Sequence, residues 1–182
     1  MKKLNILALL SALLLLIPAF VSCDKDDNGD KDEPAEIDHV IGTYTGTMVA
    51  SVSAMGHVYD DIPMEGTYEI KISSQDNASG RVVVELPECS YTPPMGSNLE
   101  TIAALTVDNV EVEENGNGLY SLDKDEFTVA VDGVQYTLNI EDYDSDDKSG
   151  TLIAGRDIKL VYTITPGKMP GFIKFTFTGT LK

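Results

Sequence analysis

The stretch EFTVAVDGVQYTLNIE, residues 126–141, decides the fold. Phe127, Val129 and Val131 alternate with polar or small residues up to Asp132-Gly133, and Val134, Tyr136, Leu138 and Ile140 resume the alternation beyond it. Successive side chains of a strand leave opposite faces, so a period of two is the mark of a half-buried β-strand. Asp-Gly between two such runs predicts a two-residue type I′ hairpin turn, which needs positive φ at both central positions. Folding across it sets Val131 opposite Val134, Val129 opposite Tyr136 and Phe127 opposite Leu138. The ribbon therefore has one apolar face to hide and one polar face to leave wet.

Working outward, the same pattern repeats. Tyr68, Ile70 and Ile72 alternate with Thr67, Glu69, Lys71 and Ser73; Ile158, Leu160, Tyr162 and Ile164 with Asp157, Lys159 and Thr163; Ile173, Phe175 and Phe177 with Lys174, Thr176 and Thr178. GTYTGTMVASV, residues 42–52, is a Thr-rich first strand with Tyr44, Met48, Ala50 and Val52 on its apolar side, and further strands are expected near 81–86, 105–113 and 150–154. This predicts an all-β domain of about 8–10 antiparallel strands. Ser97-x-x-Glu100 ahead of Ile102 and Ala103 has capping-box spacing and allows one helical turn. Sequential strands with one dry face must cover it with a second sheet or by closing on themselves.

The 182 residues suffice for one domain with short appendages. Three segments, GTYTGTM at 42–48, LTVDNVEV at 105–112 and FIKFTFTGTLK at 172–182, resemble the calycin-like β-barrel domain of Bacteroidetes lipoproteins. The resemblance implies a single up-and-down barrel over 37–182, related to lipocalins and avidins, whose first and last strands pair. Lipocalins open on Gly-x-Trp; here Gly42-Thr43-Tyr44 occupies that place and the chain has no Trp. The basic residue that packs on that Trp in lipocalins has a poor match in Lys174, so lipocalin function is not carried over.

Residues 1–22 are of another kind. Lys2 and Lys3 precede an apolar run from Leu4 to Phe20, broken by Asn5, Ser11 and Pro18, which reads as a secretory signal. AFVSC, residues 19–23, resembles the lipobox of bacterial lipoproteins, with Phe20 in place of the usual Leu. That resemblance implies acylation of Cys23 and anchoring in the outer membrane, since several acyl chains at about 0.8 kcal/mol per buried CH₂ hold firmly. Lys25-Asp26-Asp27 after Cys23 resembles the export signal of Bacteroidetes surface lipoproteins and implies that the protein faces the cell exterior. The rest of 23–36 is an acidic tether with too few apolar residues to fold. Counted as a calcium loop from Asp24 it fails at position 12, where Ala35 stands in place of Glu.

Removal of residues 1–22 takes the formal charge from −17 to −19, a balance that argues against nucleic acid as a partner and against docking on anionic lipid by charge. With Cys23 acylated, Cys89 has no disulfide partner and reads as a small buried hydrophobe rather than a nucleophile. His39 and His57 lie too far apart in sequence to suggest a metal site. Asp142, Asp144 and Asp146 alternate within EDYDSDDKSG, residues 141–150, as weak calcium candidates in what otherwise reads as a solvated hairpin loop. LPECSYTPPMGSN, residues 86–98, is the longest irregular stretch, a Pro-stiffened connector or a contact loop. No nucleophile motif, phosphate-cradling loop or catalytic residue set is readable, so neither an enzyme nor a cofactor is expected.

Two functions are compatible with these residues. The barrel could capture a small apolar ligand on Tyr44, Tyr68, Phe127, Tyr136, Tyr162 and Phe175, with Gly46, Ala50, Ala130, Ala154 and Gly179 leaving space. Alternatively those aromatics pack the interior solid, and the loops bind a surface protein or a glycan.

Overall fold

The computed structural model describes residues 36–93, 99–167 and 171–182. The hairpin over 126–141 forms as its pattern dictates: Asp132 and Gly133 take φ of 51° and 82°, and Val131, Val129 and Phe127 face Val134, Tyr136 and Leu138. Among the described residues there are twelve strands: β1 Gly42–Ala54, β2 His57–Pro63, β3 Tyr68–Ser74, β4 Arg81–Leu86, β5 Cys89–Tyr91, β6 Glu100–Ile102, β7 Leu105–Glu114, β8 Leu119–Val131, β9 Val134–Ile140, β10 Leu152–Ala154, β11 Asp157–Pro166 and β12 Gly171–Leu181. A single 3-10 turn, Ile37–His39, precedes them. Ser97 and Asn98 lie outside the described residues; the turn of helix expected there is replaced, from Glu100 on, by β6.

Eight strands close a ring. Each of β1, β3, β4, β7, β8, β9, β11 and β12 pairs antiparallel with the next, and β12 returns to β1 along eleven residue pairs from Tyr44–Leu181 to Ala54–Gly171. The sheet thus closes on itself, as an up-and-down barrel. β2 pairs with the second half of β1, where β3 no longer reaches. The short β10 bridges β11 and β8, while β5 and β6 form a separate two-stranded sheet. Up-and-down order puts both ends of the ring, the 3-10 turn and the β3–β4, β7–β8 and β9–β11 connections at one end, called here the near end. The β1–β2–β3, β4–β7, β8–β9 and β11–β12 connections gather at the far end.

Inward residues make one core, with Met48, Ile70, Val84, Val107, Leu122, Ile140, Leu160 and Phe177 essentially without solvent contact. Two bulges curve the wall. In β7 the inward set shifts from Leu105 and Val107 to Val110 and Val112, because one extra residue sits between the pairs Val84–Val107 and Val82–Val110. Asn109 absorbs it at a φ of 55°, a conformation Asn tolerates better than most residues. Its N–H donates to Gln75 Oε1 at 3.1 Å, and its carbonyl accepts from Arg81 and Lys124, each at 3.3 Å. In β8 the shift runs from Tyr120 and Leu122 to Phe127, Val129 and Val131, between the pairs Lys124–Ile140 and Phe127–Leu138.

The outer wall is polar. Lys71 pairs with Glu85 at 2.6 Å, Arg81 with Glu111 at 3.1 Å and Lys174 with Glu141 at 2.6 Å, and Lys182 also pairs with Glu69. Exposed pairs of this kind contribute about 0.2–1 kcal/mol each. Their position has a larger meaning, because a membrane-spanning barrel turns an apolar band outward and this one turns charge outward.

Candidate functional site

The six aromatic positions expected to point inward fall into two groups. Tyr44, Tyr136, Tyr162 and Phe175 are buried. Tyr162 and Phe175, opposite each other on β11 and β12, stack with centroids 5.1 Å apart, and the Tyr162 hydroxyl donates to Met48 Sδ at 3.2 Å. The Tyr44 hydroxyl donates to the Val40 carbonyl at 2.9 Å and so ties the 3-10 turn across the near end. Burial pushes both phenols above their ordinary pKa. Tyr68 and Phe127 are half-buried and pack against the edge of the core at the far end.

Of the five small residues, Ala50 is buried opposite Phe175, and the other four do not leave these rings room. Ala130 and Ala154 are exposed. A Cβ on Gly179 would lie 2.5 Å from Phe177 Cζ, so the Phe177 ring already fills that space. Gly46 faces Gly179 across the closing seam, and a Cβ there would lie 2.0 Å from the Thr178 carbonyl oxygen. Lys174 stands opposite Ser51, remote from Tyr44, whose partner on β12 is Leu181.

The histidines sit at opposite ends. His39 stacks on Tyr120 at 5.6 Å beside the near end, and His57 lies against Tyr59 where β2 begins. Among the described residues no three His, Cys, Asp or Glu side chains gather as a cation would require. Asp144 turns its carboxylate back on its own loop, accepting the N–H groups of Asp146 at 2.8 Å and Asp147 at 3.3 Å, and Asp142 accepts from Tyr143 at 2.6 Å. Cys89 is 4% exposed, and burial, with Glu88 next to it, pushes its thiol up to about 11. Cys23, Lys25, Asp26 and Asp27 lie outside the described residues.

A feature the periodicity did not reveal lies at the far end. Within the stretch 86–98, which carries no long alternation, Cys89–Tyr91 forms β5 and pairs with β6, with Ser90 and Thr101 hydroxyls 2.9 Å apart. The only sequence signal was the Cys-Ser-Tyr alternation between Pro87 and Pro93, too short for a period to show. Alongside β5 is a cavity of about 550 Å³, lined by residues 88–92 and Leu99 together with Ile62, Glu65 and Tyr68. Ligand sites commonly have volumes of about 300–1,000 Å³. The Tyr91 hydroxyl donates to Glu100 Oε2 at 3.1 Å and that of Tyr68 to the Glu65 carbonyl at 3.0 Å. Burial first, then the Glu100 carboxylate, raise the Tyr91 pKa. Two further cavities, of about 360 and 420 Å³, lie on the outer wall around Lys71 and around the Gly46–Gly179 seam.

The far end also collects exposed apolar side chains. Met55, Val58, Leu99, Val134 and Phe172 are 40–76% exposed, and all five belong to or border far-end connections. Val58 and Phe172 flank Ser53 on either side of β1. Scattered apolar residues on a surface are ordinary, and it is contiguous exposed patches that commonly serve as contact sites.

A closed eight-stranded meander with a packed interior, its first strand sealed to its last, defines a calycin-type barrel. The chain belongs to the family of calycin-like β-barrel domains, whose model matches residues 40–180. In fold it is similar to a candidate outer membrane protein from Bacteroides fragilis, with a TM-score of 0.54 at 19% identity; the match covers 78% of this chain and 51% of that one. This chain therefore spans about half the length of that neighbour. A search of curated proteins returned no match.

Proposed function

We propose that the protein is an exported lipoprotein of the outer membrane and that its packed barrel is a rigid mount for a far-end interaction surface. In this reading acyl chains on Cys23 supply the membrane attachment, and Lys25-Asp26-Asp27 directs the barrel to the cell exterior. The outward charge of the wall supports attachment by lipid rather than by spanning, and the neighbour's outer-membrane description agrees with that compartment. The binding is non-catalytic, to a protein or a glycan.

One observation carries the choice over a small-molecule carrier. Met48, Tyr162, Phe175 and Phe177 occupy, at 0–1% exposure, the space in which a carrier would hold its ligand. The test is thermal melting with saturated fatty acids of 8 to 16 carbons and flat aromatic probes, followed by native mass spectrometry of the protein extracted from membranes. No shift and no co-purifying small molecule are expected. A probe that raises Tm by several degrees, or a stoichiometric bound lipid, would refute the packed barrel.

A further inference from the structure

We infer that the cavity beside β5 is a strand-addition groove that takes an extended peptide carrying basic side chains. This deepens the proposed function and rests on it, naming the partner as protein and the contact as one edge of one strand.

Geometry gives the first reason. Residues 88–92 are five in succession, and all line the cavity. Successive residues of a strand point to opposite faces, so a surface touching all of them lies along the strand's edge. β5 has β6 on one side, and among the described residues no strand pairs with its other side. In an antiparallel pair every second residue directs its N–H and C=O away from the partner strand. The open side of β5 therefore offers backbone groups to an incoming strand, the arrangement used in β-augmentation.

The lining side chains give the second. Ile62, Tyr68 and Leu99 supply apolar surface for alternate side chains of the guest. Glu65 and Glu88 border the same space, both exposed, and among the described residues neither carboxylate has a cationic partner. A guest with Lys or Arg at alternate positions would meet both carboxylates, and the chain's formal charge of −17 favours its approach to the molecule.

The unpaired edge of β2 is a poorer template. Asp61 sits at a φ of 56° in a bulge where the β1–β2 register shifts, Asp60 precedes it and Pro63 ends the strand. Bulges, charge and proline are the devices that blunt an edge. β5 is short, which also limits an edge, but it carries neither bulge, charge nor proline between Cys89 and Tyr91.

The test uses the full chain in detergent micelles and four labelled heptapeptides read by fluorescence anisotropy in 0.15 M salt. The probes are Lys-Val-Lys-Val-Thr-Val-Lys, the same peptide with Glu for each Lys, and the Lys peptide N-methylated at alternate amides in both phases. The Lys peptide is expected to bind at least tenfold more tightly than the Glu peptide and than the N-methylated peptide whose methyl groups fall on the amides that face β5. The double variant Glu65→Lys/Glu88→Lys, confined to exposed residues, should reverse the order of the Lys and Glu peptides. Asp108→Lys/Glu126→Lys, with the same charge change elsewhere on the wall, should leave it intact. Equal binding of the N-methylated peptides would overturn the inference, because charge alone would then hold the peptide. So would no peptide binding at all, or a neutral oligosaccharide that shifts the amide signals of 88–92 when the peptides do not. Fatty-acid uptake into the barrel would instead refute the underlying packed-barrel reading, a separate result of a separate titration.

Discussion

Phe177→Ala measures how tightly the barrel is packed. The ring has no solvent contact and lies over Gly179, where even a methyl carbon would come within 2.5 Å of it. Removing it forfeits about 2–3 kcal/mol of transfer free energy. The space left, on the order of 80 Å³, adds about 2 kcal/mol at roughly 24 cal/mol per Å³, since strands held on both sides by β1 and β11 can collapse only in part. The total is about 4–5 kcal/mol, which for a domain of this size lowers Tm by about 10–15 °C. Urea denaturation followed by tyrosine fluorescence gives the free energy, and the slope of the transition checks that the unfolded state is unchanged. An apolar cavity of this kind stays dry and takes up small aromatics, so benzene or indole should restore part of the loss in Phe177→Ala and do nothing to the parent protein. In an open barrel the ring would already border empty or wet space and the cavity contribution would vanish. A cost of about 2 kcal/mol or less, or a parent protein stabilised by the same aromatics, would refute the reasoning.

Four further outcomes are expected. Asn109→Val should cost about 1–3 kcal/mol because a β-branched residue resists positive φ, whereas Asn109→Gly should cost well under 1 kcal/mol; melting of the two variants side by side checks this. Cys89 has a folded pKa of about 11 against an ordinary 9.0, so the folded state holds that proton more tightly than the unfolded one; its contribution is complete below about pH 9 and is lost as pH rises to about 11, by at most about 3 kcal/mol. Denaturation midpoints from pH 8 to 11 should fall, and Cys89→Ala should flatten the fall. Cys23→Ser should release the protein from the membrane fraction into the soluble fraction, as fractionation and immunoblotting would show. Met55→Ser/Phe172→Ser should leave stability within about 0.5 kcal/mol, both side chains being exposed, while reducing partner capture by intact cells; retained capture would place the contact away from this rim.

The sequence-level expectation of the barrel survives because strand alternation reports burial directly. Residues 126–141 predicted their own register, and β4 matches the expected bounds of 81–86. The pattern fails where the backbone changes phase. The first half of β8 is a strand whose inward residues Tyr120 and Leu122 are even-numbered, while Phe127, Val129 and Val131 are odd. A strict period of two therefore loses sight of residues 119–125. β2 fails for a related reason, because its bulge at Asp60-Asp61 interrupts a seven-residue run. The candidate groove was hidden further: β5 is three residues long, and Ile62, Glu65 and Tyr68, which also line the cavity, come from another part of the chain. Alternation locates a residue on a face, and only the closed ring tells which strands that face meets.

The same closure separates the two ends of the molecule. At the near end the chain enters through a 3-10 turn tied down by the Tyr44 hydroxyl, and the last strand finishes beside it with the Leu181 carbonyl accepting from Arg156 at 2.6 Å. Residues that tie the ends of the ring have little freedom to adapt to a partner. The far end carries the β1–β3 and β4–β7 connections, an edge of β5 that pairs with no described strand, and the exposed Met55, Val134 and Phe172. Loops held by a rigid scaffold accept sequence change at low cost to the core. The contact surface proposed above therefore falls on the end of the barrel that the closing seam and the Tyr44 tie leave free to vary, and it needs no ligand inside the ring.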